Sequence, residues 1–301
     1  VREHLDTGGK RLRARLALSA LEALGHGREA GIGWAAACEL LHNATLVHDD
    51  LQDGDRVRRG RPTVWARHGA AQAVNAGDLL LMLPFLALER VAAPPETRWL
   101  LARALAAHAA AVARGQAAEL ALADEARVGW TEYRRVAEGK TGPLFQLPVE
   151  GAALLAGRPP GEAREVAAPF AKLGMLFQLQ DDVLDLYGEK GRGVPGSDLR
   201  EGKVSALVVE HLALHPGDAP WLHGLLRLPR EETPDAEVER AIRRFRDGGA
   251  LERVLTRICT AAAEALRAPA LAGEPGVRAL AAELVDVALA PIVGVRPGAA
   301  G

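Results

Sequence analysis

The sequence predicts an all-α protein. Ala and Leu are the commonest of its 301 residues, and β-branched residues are few. Apolar residues recur at spacings of three and four, as they do on the buried face of an amphipathic helix. Gly and Pro, which interrupt helices, cluster between these periodic segments. This pattern predicts one helix after another and no convincing strand.

The predicted helices can be placed in order, because each lies between Gly- or Pro-containing breaks. They cover residues 11–23, 33–48, 70–91, 97–123, 131–155, 159–186, 236–246 and 251–267. The breaks between them lie at residues 25–27, 60–62, 94–95, 157–160, 188–196, 216–217 and 248–249. Residues 215–235 mix Pro, Trp221 and charges, which predicts short helices and loops. No linker composition or strong repeat divides the chain, so we predict a single domain over residues 1–301.

Composition favours a cytoplasmic enzyme. The formal net charge is −2, so no overall attraction to nucleic acid or to an anionic membrane is predicted. Cys38 and Cys259 both lie in apolar helical contexts, which favours buried thiols over a disulfide. The longest apolar run, residues 79–88, contains Pro84 and is too short to span a bilayer. The chain shows no signal peptide, and because it begins at Val1 we expect that some N-terminal residues are missing.

Two acidic motifs carry most of the functional information. Residues 49–53 and 181–185 both read Asp-Asp-x-x-Asp, and each follows an apolar stretch. On a helix, the first and last carboxylates of such a motif share one face. Carboxylates crowded at core depth are costly unless a cation compensates them, and Mg²⁺ suits carboxylate and phosphate oxygens. One motif alone would fit a solvated acidic helix face equally well, whereas two embedded motifs favour facing helices that hold divalent ions.

Basic residues lie beside both acidic motifs. Lys10 and Arg13 occur at the start of a predicted helix, where backbone N–H groups favour anions. Four arginines follow the first motif, and lysines occur within an apolar stretch and after the second motif: Arg56, Arg58, Arg59, Arg61, Lys140 and Lys203. Arginine forks and lysine charges suit phosphate oxygens. Each base alone is typical of a protein surface, but together with the acidic motifs they predict a pocket for diphosphates.

A resemblance to a known family rests on eight segments in order. They read Gly8-Gly-Lys-Arg-Leu-Arg13, Glu39-Leu-Leu-His-Asn-Ala-Thr-Leu-Val-His-Asp-Asp-Leu-Gln-Asp53, Arg58-Arg-Gly-Arg-Pro-Thr63, Gly77-Asp78, Gly115-Gln116, Lys140-Thr141, Phe177-Gln-Leu-Gln-Asp-Asp-Val-Leu-Asp185 and Gly196-Ser-Asp-Leu-Arg-Glu-Gly-Lys203. With these segments, which span about the first two-thirds of the chain, the sequence resembles the trans-isoprenyl diphosphate synthases, also called polyprenyl synthetases. It departs from the family pattern at Ala14, where Pro is usual, at Glu119, where Asp is common, and in a short or absent N-terminal helix.

The resemblance implies the isoprenoid synthase fold, a single-domain antiparallel helix bundle around a central cavity, and a homodimer. It also implies the reaction. An allylic diphosphate (dimethylallyl, geranyl or farnesyl) ionises, isopentenyl diphosphate attacks the cation, and a proton is lost. Residue by residue, the resemblance implies that Mg²⁺, three ions per site, binds Asp49, Asp53 and Asp181 with support from Asp50, Asp182 and Asp185. It implies that Arg58, Lys140 and Lys203 bind the allylic diphosphate, that Lys10, Arg13, His42 and Arg59 bind isopentenyl diphosphate, and that Thr141 and Gln178 face the carbocation.

Two other functions must be distinguished from this one. A class I terpene cyclase would share the fold and the acidic site but needs no isopentenyl diphosphate pocket, so Lys10, Arg13, His42 and Arg59 favour the synthase. A non-catalytic subunit of a heteromeric synthase would be expected to lose one acidic motif, whereas both are intact.

The length of the product is less well defined by the sequence. Ala44 and Thr45 precede Asp49 by five and four positions, and their small size disfavours a stop at fifteen carbons. Trp34 is a candidate floor of the product tunnel, and Met82 and Phe85 could close it from the opposite helix, although all three also fit ordinary core positions. We expect C20 geranylgeranyl diphosphate, with C25–C40 products as the alternative.

Overall fold

A computed structural model of the chain describes residues 1–122, 128–188 and 195–295. The α-helices run in chain order as α1 Arg2–Leu5, α2 Leu12–Ala23, α3 Ile32–Gln52, α4 Val64–His68, α5 Ala70–Ala87, α6 Pro95–Leu122, α7 Trp130–Leu155, α8 Pro160–Ala167, α9 Pro169–Tyr187, α10 Ser197–Arg200, α11 Ala206–Leu214, α12 Ala219–Leu226, α13 Asp235–Asp247, α14 Ala250–Leu266 and α15 Pro275–Leu289. Short 3₁₀ turns cover Arg28–Gly31, Leu88–Arg90, Pro216–Asp218, Arg230–Glu232, Pro269–Leu271 and Ala290–Ile292. The all-α prediction is confirmed. Ala123, the last residue of one predicted helix, lies outside the described residues.

One small hairpin corrects the expectation of no strand. Strands β1 (Val57–Arg58) and β2 (Arg61–Pro62) pair antiparallel, directly after the first acidic motif. Arg59 and Gly60 between them have φ of 52° and 73°, so both lie in the left-handed region that a tight hairpin turn requires. Arginine rarely adopts this conformation, and two-residue strands are too short to leave an alternating pattern in the sequence.

Helix α7 lies at the centre of the bundle, where it packs against α2, α6, α8 and α9. Glycines allow the backbones to approach at these crossings. A Cβ on Gly115 of α6 would lie 2.4 Å from the backbone N of Lys140, and one on Gly174 of α9 would lie 2.8 Å from Cα of Gly142. The close crossings bring Lys140 of α7 beside both neighbouring helices.

The buried apolar residues form two large clusters on either side of α7. One joins α7 and α9 to the C-terminal helices α11, α13, α14 and α15. The other joins α7 to α3 and α6 and includes the fully buried Trp34, whose Nε1 donates to the carbonyl of Pro148 at 3.1 Å. The first cluster holds α9, the second holds α3, and both hold α7. The helices that carry the acidic motifs are therefore fixed by rigid packing.

Two helix predictions are corrected. The helix predicted over residues 159–186 is divided at Ala168 into α8 and α9, because Pro169 has no N–H to continue the ladder of hydrogen bonds. Helix α15 was not predicted. It contacts α2 and α9, and a Cβ on its Gly276 would lie 2.4 Å from the carbonyl O of Ala23.

The expectation that no segment could span a bilayer rested on residues 79–88 alone. Pro84 does not end the helix, and within the described part of the chain one helix, Ala70–Arg90, is long and apolar enough to cross a membrane by length and composition. Only 28% of its most apolar window is buried. A single helix of this kind is weak evidence for a membrane span, because a helix covered by another protein surface has the same composition.

Candidate active site

A cavity of about 710 Å³ opens between α2, α3, α6, α7, α9 and the segment after α10. Its lining includes every residue that the family resemblance assigned to diphosphate or carbocation binding, namely Lys10, Arg13, His42, Arg58, Arg59, Lys140, Thr141, Gln178 and Lys203. Arg56 and Arg61, which the sequence also placed near the first acidic motif, do not line it. Of the six motif carboxylates, Asp49, Asp53, Asp181 and Asp182 line the cavity, whereas Asp50 and Asp185 do not. The structure therefore gathers residues up to about two hundred positions apart around one space.

On α3, the motif carboxylates have different surroundings. Asp49 and Asp53 face the cavity from the last turn of the helix. Asp50 is 1% exposed, and Arg58 Nε donates to its Oδ1 at 2.6 Å. Burial raises the pKa of Asp50 to about 6 despite the nearby Arg58. Asp50 therefore fixes the arginine hairpin against α3.

On α9, only the first carboxylate of the motif is exposed. Asp181 faces the cavity. Asp182 is buried and accepts hydrogen bonds from Tyr133 Oη and the backbone N of Ala206, both at 2.7 Å, and from Gln178 Nε2 at 3.0 Å. Burial and then Asp198 raise the pKa of Asp182 to about 7, against the effect of these donors. The carboxylate ties α7, α9 and α11 together beside the cavity.

Asp185 is also buried and belongs to a separate set of contacts. Its carboxylate accepts from Ser197 Oγ at 2.8 Å and from the backbone N of Asp198 at 3.1 Å, at the start of α10. These bonds hold the segment that carries Lys203 against α9.

Two lysines pair with the cavity carboxylates. Lys140 Nζ donates to the carboxylate of Glu119 and lies 4.0 Å from Oδ2 of Asp49. Lys203 Nζ donates to Oδ2 of Asp53 at 2.6 Å and lies 2.7 Å from Oε2 of Glu201. Burial alone would lower both lysine pKa values, but the carboxylates outweigh it and raise them. Both ammonium groups therefore stay charged at neutral pH.

A second set of phosphate-sized donors is built from Arg13 of α2 and His42 of α3. Arg13 stacks over the ring of Phe145 with 4.9 Å between guanidinium carbon and ring centroid, which fixes its direction. His42 is surrounded by arginines, and burial followed by Arg13 and Arg58 lowers its pKa well below the ordinary value. Among the described residues, Nδ1 of His42 and Nε of Arg13 are buried and find no hydrogen-bond partner. Such groups suit a multiply charged anionic ligand.

The Mg²⁺ that the sequence predicts would need oxygen ligands from side chains that face the cavity. Within the described segments, no group of three or more His, Cys, Asp and Glu side chains is arranged to hold a metal ion by itself. Mg²⁺ commonly uses only one or two carboxylates and completes its octahedron with water and substrate phosphates. Asp49, Asp53 and Asp181, which face a cavity also lined by Arg and Lys side chains, fit that mode of binding.

The apolar lining of the cavity bears on one expectation about the product tunnel. The lining includes Leu46, Val112 and Leu144, and it also includes the small Thr45. Met82 and Phe85 do not close the cavity, because they lie on the outer face of α5 with exposed fractions of 57% and 37%. The spacing of the sequence could not distinguish the inner from the outer face of a helix that is apolar all round.

The sequence did not predict the roles of several residues at the site. Glu119 was seen only as a departure from the family pattern, yet it holds Lys140. Glu201 and Arg230 were not assigned any role, although Glu201 contacts Lys203 and Arg230 contacts Glu201. Arg230 has no motif around it, so only the fold reveals its place.

Comparisons with known proteins agree with this geometry. A sequence model of the polyprenyl synthetase family matches residues 1–245. The chain is 34% identical over 252 residues to a geranylgeranyl pyrophosphate synthase of Geoglobus acetivorans, covering 83% of this chain and 77% of that one. It is 40% identical over 214 residues to a (2E,6E)-farnesyl diphosphate synthase of Mycobacterium tuberculosis, covering 70% and 58%. The solved geranylgeranyl pyrophosphate synthetase from G. acetivorans superposes with a TM-score of 0.83 at 32% identity, covering 96% of this chain and 90% of that one.

Fold and site together define an α-helical enzyme that acts on diphosphate esters. The chain belongs to the polyprenyl synthetase family. It is a transferase of the isoprenyl diphosphate synthase type, with the all-α isoprenoid synthase fold.

Proposed function

We propose that the chain condenses isopentenyl diphosphate with an allylic diphosphate to make a trans-polyprenyl diphosphate. The observation that carries this proposal is the pairing of two cationic groups with two acidic helices around one cavity. Lys140, Lys203 and Arg58 lie beside the acidic motifs, and Arg13 of α2 and His42 of α3 line the same cavity. Two diphosphates can therefore bind at once, and both are needed for condensation.

Each group has a distinct role in the proposed reaction. Mg²⁺, three ions per site, would bind Asp49, Asp53 and Asp181 together with the leaving diphosphate and would neutralise its developing charge. Asp50, Asp182 and Asp185 support the site by holding the hairpin, α9 and α10. Lys140, Lys203 and Arg58 bind the allylic diphosphate through preset charges, which stabilise the separating pyrophosphate more than the intact substrate.

The acceptor substrate binds on the α2 side. Lys10, Arg13, His42 and Arg59 hold isopentenyl diphosphate, whose diphosphate stays attached throughout. The C–O bond to pyrophosphate breaks first and leaves an allylic cation. Thr141 and Gln178, which lie 3.1 Å apart between Oγ1 and Oε1, face this cation, and the double bond of isopentenyl diphosphate attacks it. Loss of a proton to the departing pyrophosphate restores a double bond and completes a product five carbons longer.

The direct test is incubation of the purified protein with Mg²⁺, isopentenyl diphosphate and dimethylallyl, geranyl or farnesyl diphosphate. Incorporation of isopentenyl units by the protein alone is expected. A cyclase would instead release a hydrocarbon or alcohol from the allylic substrate without using isopentenyl diphosphate. A non-catalytic subunit would do neither until its partner was added.

We further propose C20 geranylgeranyl diphosphate as the main product, with C25–C40 products as the alternative. Thr45 lines the cavity, whereas Ala44 is fully buried against α5 and does not. Position 45 carries the small side chain of Thr and not an aromatic ring, so the growing prenyl chain can extend past this turn of α3.

Two substitutions test this reading of the tunnel. Thr45→Phe should shorten the product toward C15, because its ring would project into the path of the chain. Ala44→Phe serves as the matched control, since it should destabilise the α3–α5 packing without a comparable change in product length. Unchanged products from a folded Thr45→Phe variant would contradict the assigned path.

The remaining properties belong to the same proposal. We propose that residues 1–301 form one polyprenyl synthetase domain that forms a homodimer in the cytoplasm. Exposed apolar residues on α5, including Leu79, Met82 and Leu86, supply a face for a second copy. Both cysteines are free thiols, as suits a reducing compartment; Cys38 is buried as expected, whereas Cys259 is exposed, which corrects the expectation that it is buried.

A further inference from the structure

We propose that Arg230 and Glu201 are positioning residues that hold the Lys203 ammonium at the allylic diphosphate end of the cavity. This inference rests on the proposed function, because it assigns a task to residues that reach the substrate only through Lys203. Neither residue belongs to the acidic motifs or to the two sets of cations that the reaction uses directly.

Arg230, Glu201 and Lys203 form a continuous series of ion pairs. Arg230 Nη1 lies 3.0 Å from Oε1 of Glu201 and also 3.0 Å from Oδ1 of Asp55. Glu201 in turn lies 2.7 Å from Lys203 Nζ through its other oxygen, Oε2. Arg230 therefore joins the segment after the second acidic motif to the segment after the first, across 175 residues of sequence between Asp55 and Arg230.

Because its carboxylates are buried, breaking this series of ion pairs should affect the site more than breaking a surface ion pair. The Glu201 side chain is 1% exposed and that of Asp55 is 7% exposed. A buried carboxylate that loses one of two cationic partners keeps a poorly compensated charge, and its remaining partner must then serve it alone. Without Arg230, we expect Glu201 to draw Lys203 away from the cavity or to change its own rotamer.

Glu201 is the partner that can hold Lys203 throughout the reaction. Among the described residues, Asp53 and Glu201 form ion pairs with Lys203, and Asp198 also lies near enough to raise its pKa. Asp53 is an expected Mg²⁺ ligand, so its oxygens are engaged when substrate is bound. Glu201 has no such second task, and it remains as the fixed point from which the flexible lysine reaches the diphosphate.

The backbone around Arg230 is itself anchored. Arg230 lies in the 3₁₀ turn Arg230–Glu232. Just after this turn, the carbonyl of Thr233 accepts from Arg200 Nη1 of α10 at 2.9 Å, and Thr233 Oγ1 donates to the carbonyl of Pro229 at 3.2 Å. Thr233 is 5% exposed. The turn is therefore fixed to α10, whose first residues are held by Asp185, so Arg230 is supported by the same part of the fold as Lys203.

The test compares Arg230→Ala, Arg230→Lys and a control. We expect Arg230→Ala to lower kcat/KM for the allylic substrate by roughly 10- to 100-fold, as small displacements of a binding group do, and to leave KM for isopentenyl diphosphate nearly unchanged. Arg230→Lys should recover most of this loss, because a single nitrogen of Arg230 contacts both carboxylates and one ammonium can do the same. Arg243→Ala removes an arginine whose side chain is 58% exposed and should match the parent.

Two further readouts separate positioning from loss of folding. Calorimetric titration with farnesyl diphosphate in Mg²⁺ buffer should show weaker binding to Arg230→Ala than to Arg230→Lys, and both variants should retain a cooperative thermal transition. Equal kinetics for Arg230→Ala and the parent, or equal losses in Arg230→Ala and Arg230→Lys, would overturn the inference. Absence of isopentenyl incorporation by the parent protein would instead overturn the proposed function, so the two failures are distinguishable.

Discussion

At the scale of single residues, the motif carboxylates divide according to what they contact. Asp49, Asp53 and Asp181 line the cavity, whereas Asp50 and Asp185 are buried against Arg58 and the start of α10. The repeated motif conceals this division, because all six positions carry the same side chain. Substitution of single residues can therefore separate groups that act on the substrate from groups that hold the scaffold.

The two diphosphate sites should respond differently to substitution. Asp49→Ala or Asp181→Ala removes a metal-binding carboxylate and should lower kcat by roughly 10³-fold or more, as loss of a key electrostatic group does. Arg59→Ala should mainly raise KM for isopentenyl diphosphate, whose charge changes little on the way to the transition state. Steady-state kinetics with each substrate varied in turn checks both. Near-normal kcat in Asp181→Ala, or weakening of only the allylic substrate in Arg59→Ala, would show that the sites are wrongly assigned.

Residue-scale electrostatics also predict how stability depends on pH. Burial, followed by Arg58 and Arg59, lowers the pKa of His4 from 6.5 to about 4. Between these values the unfolded chain binds a proton that the folded chain does not, so the contribution is complete above the unfolded pKa and is lost as the pH falls.

His4→Leu removes that dependence. Between about pH 7 and about pH 5, the parent should lose more of its free energy of unfolding than the variant, by about 1–2 kcal/mol. Urea denaturation of both proteins at the two pH values measures the difference. Parallel losses in parent and variant would show that His4 titrates normally in the folded protein.

At the scale of elements, the close crossings of α7 set the geometry of the site. A Cβ on Gly174 would lie 2.8–2.9 Å from backbone atoms of Gly142 and Thr141, which cannot retreat without moving a helix. Helix α7 carries Lys140 and α9 carries Asp181. Any separation of the two helices therefore changes the distance between the proposed diphosphate-binding charge of Lys140 and the proposed metal-binding carboxylate of Asp181.

Gly174→Ala should destabilise the protein by roughly 1–3 kcal/mol, as overpacking does, and should lower kcat in the fraction that remains folded. Gly161→Ala is the matched control, because a Cβ there meets none of the described atoms within 4 Å and Ala favours the helix α8. Thermal unfolding and kinetics of the two variants provide the comparison. Similar stability and activity of both would mean that α7 and α9 can separate without cost.

The elements also show how much the sequence could predict. The long periodic helices and both acidic motifs were predicted, because spacing and composition fix them locally. The division at Pro169, the short hairpin at Arg59 and the helix α15 were not, since each depends on one residue or on packing against distant helices. At the site, the paired cations were predicted from their neighbours in sequence, whereas Arg230 enters only through contacts across the whole fold.

At the scale of the whole molecule, one apolar surface distinguishes the outer face of the bundle. Five apolar residues of α5 are at least 37% exposed: Val74, Leu79, Met82, Phe85 and Leu86. This surface explains why the helix satisfies the length and composition of a membrane span without being buried in its own chain. A second copy of the chain would cover it.

If the chain forms the proposed homodimer through α5, charged side chains on this surface should dissociate it. Combining Met82→Glu with Leu86→Glu places two carboxylates on this surface and should yield a monomer by light scattering at micromolar concentration, because unpaired charges are costly to bury. Val287→Glu, at a position 42% exposed on α15, should leave the dimer intact. A parent protein that is already monomeric would contradict the proposed interface.

In the proposed reaction, isopentenyl diphosphate and an allylic diphosphate bind side by side in one cavity, where a carbon–carbon bond joins their prenyl groups. Its most direct measurement is chromatography of the dephosphorylated products after the purified protein is incubated with Mg²⁺, labelled isopentenyl diphosphate and an allylic primer. Labelled prenyl alcohols are expected, with the C20 alcohol the most abundant. Absence of label from every prenyl product, with protein that is folded and supplied with each primer in turn, would contradict it.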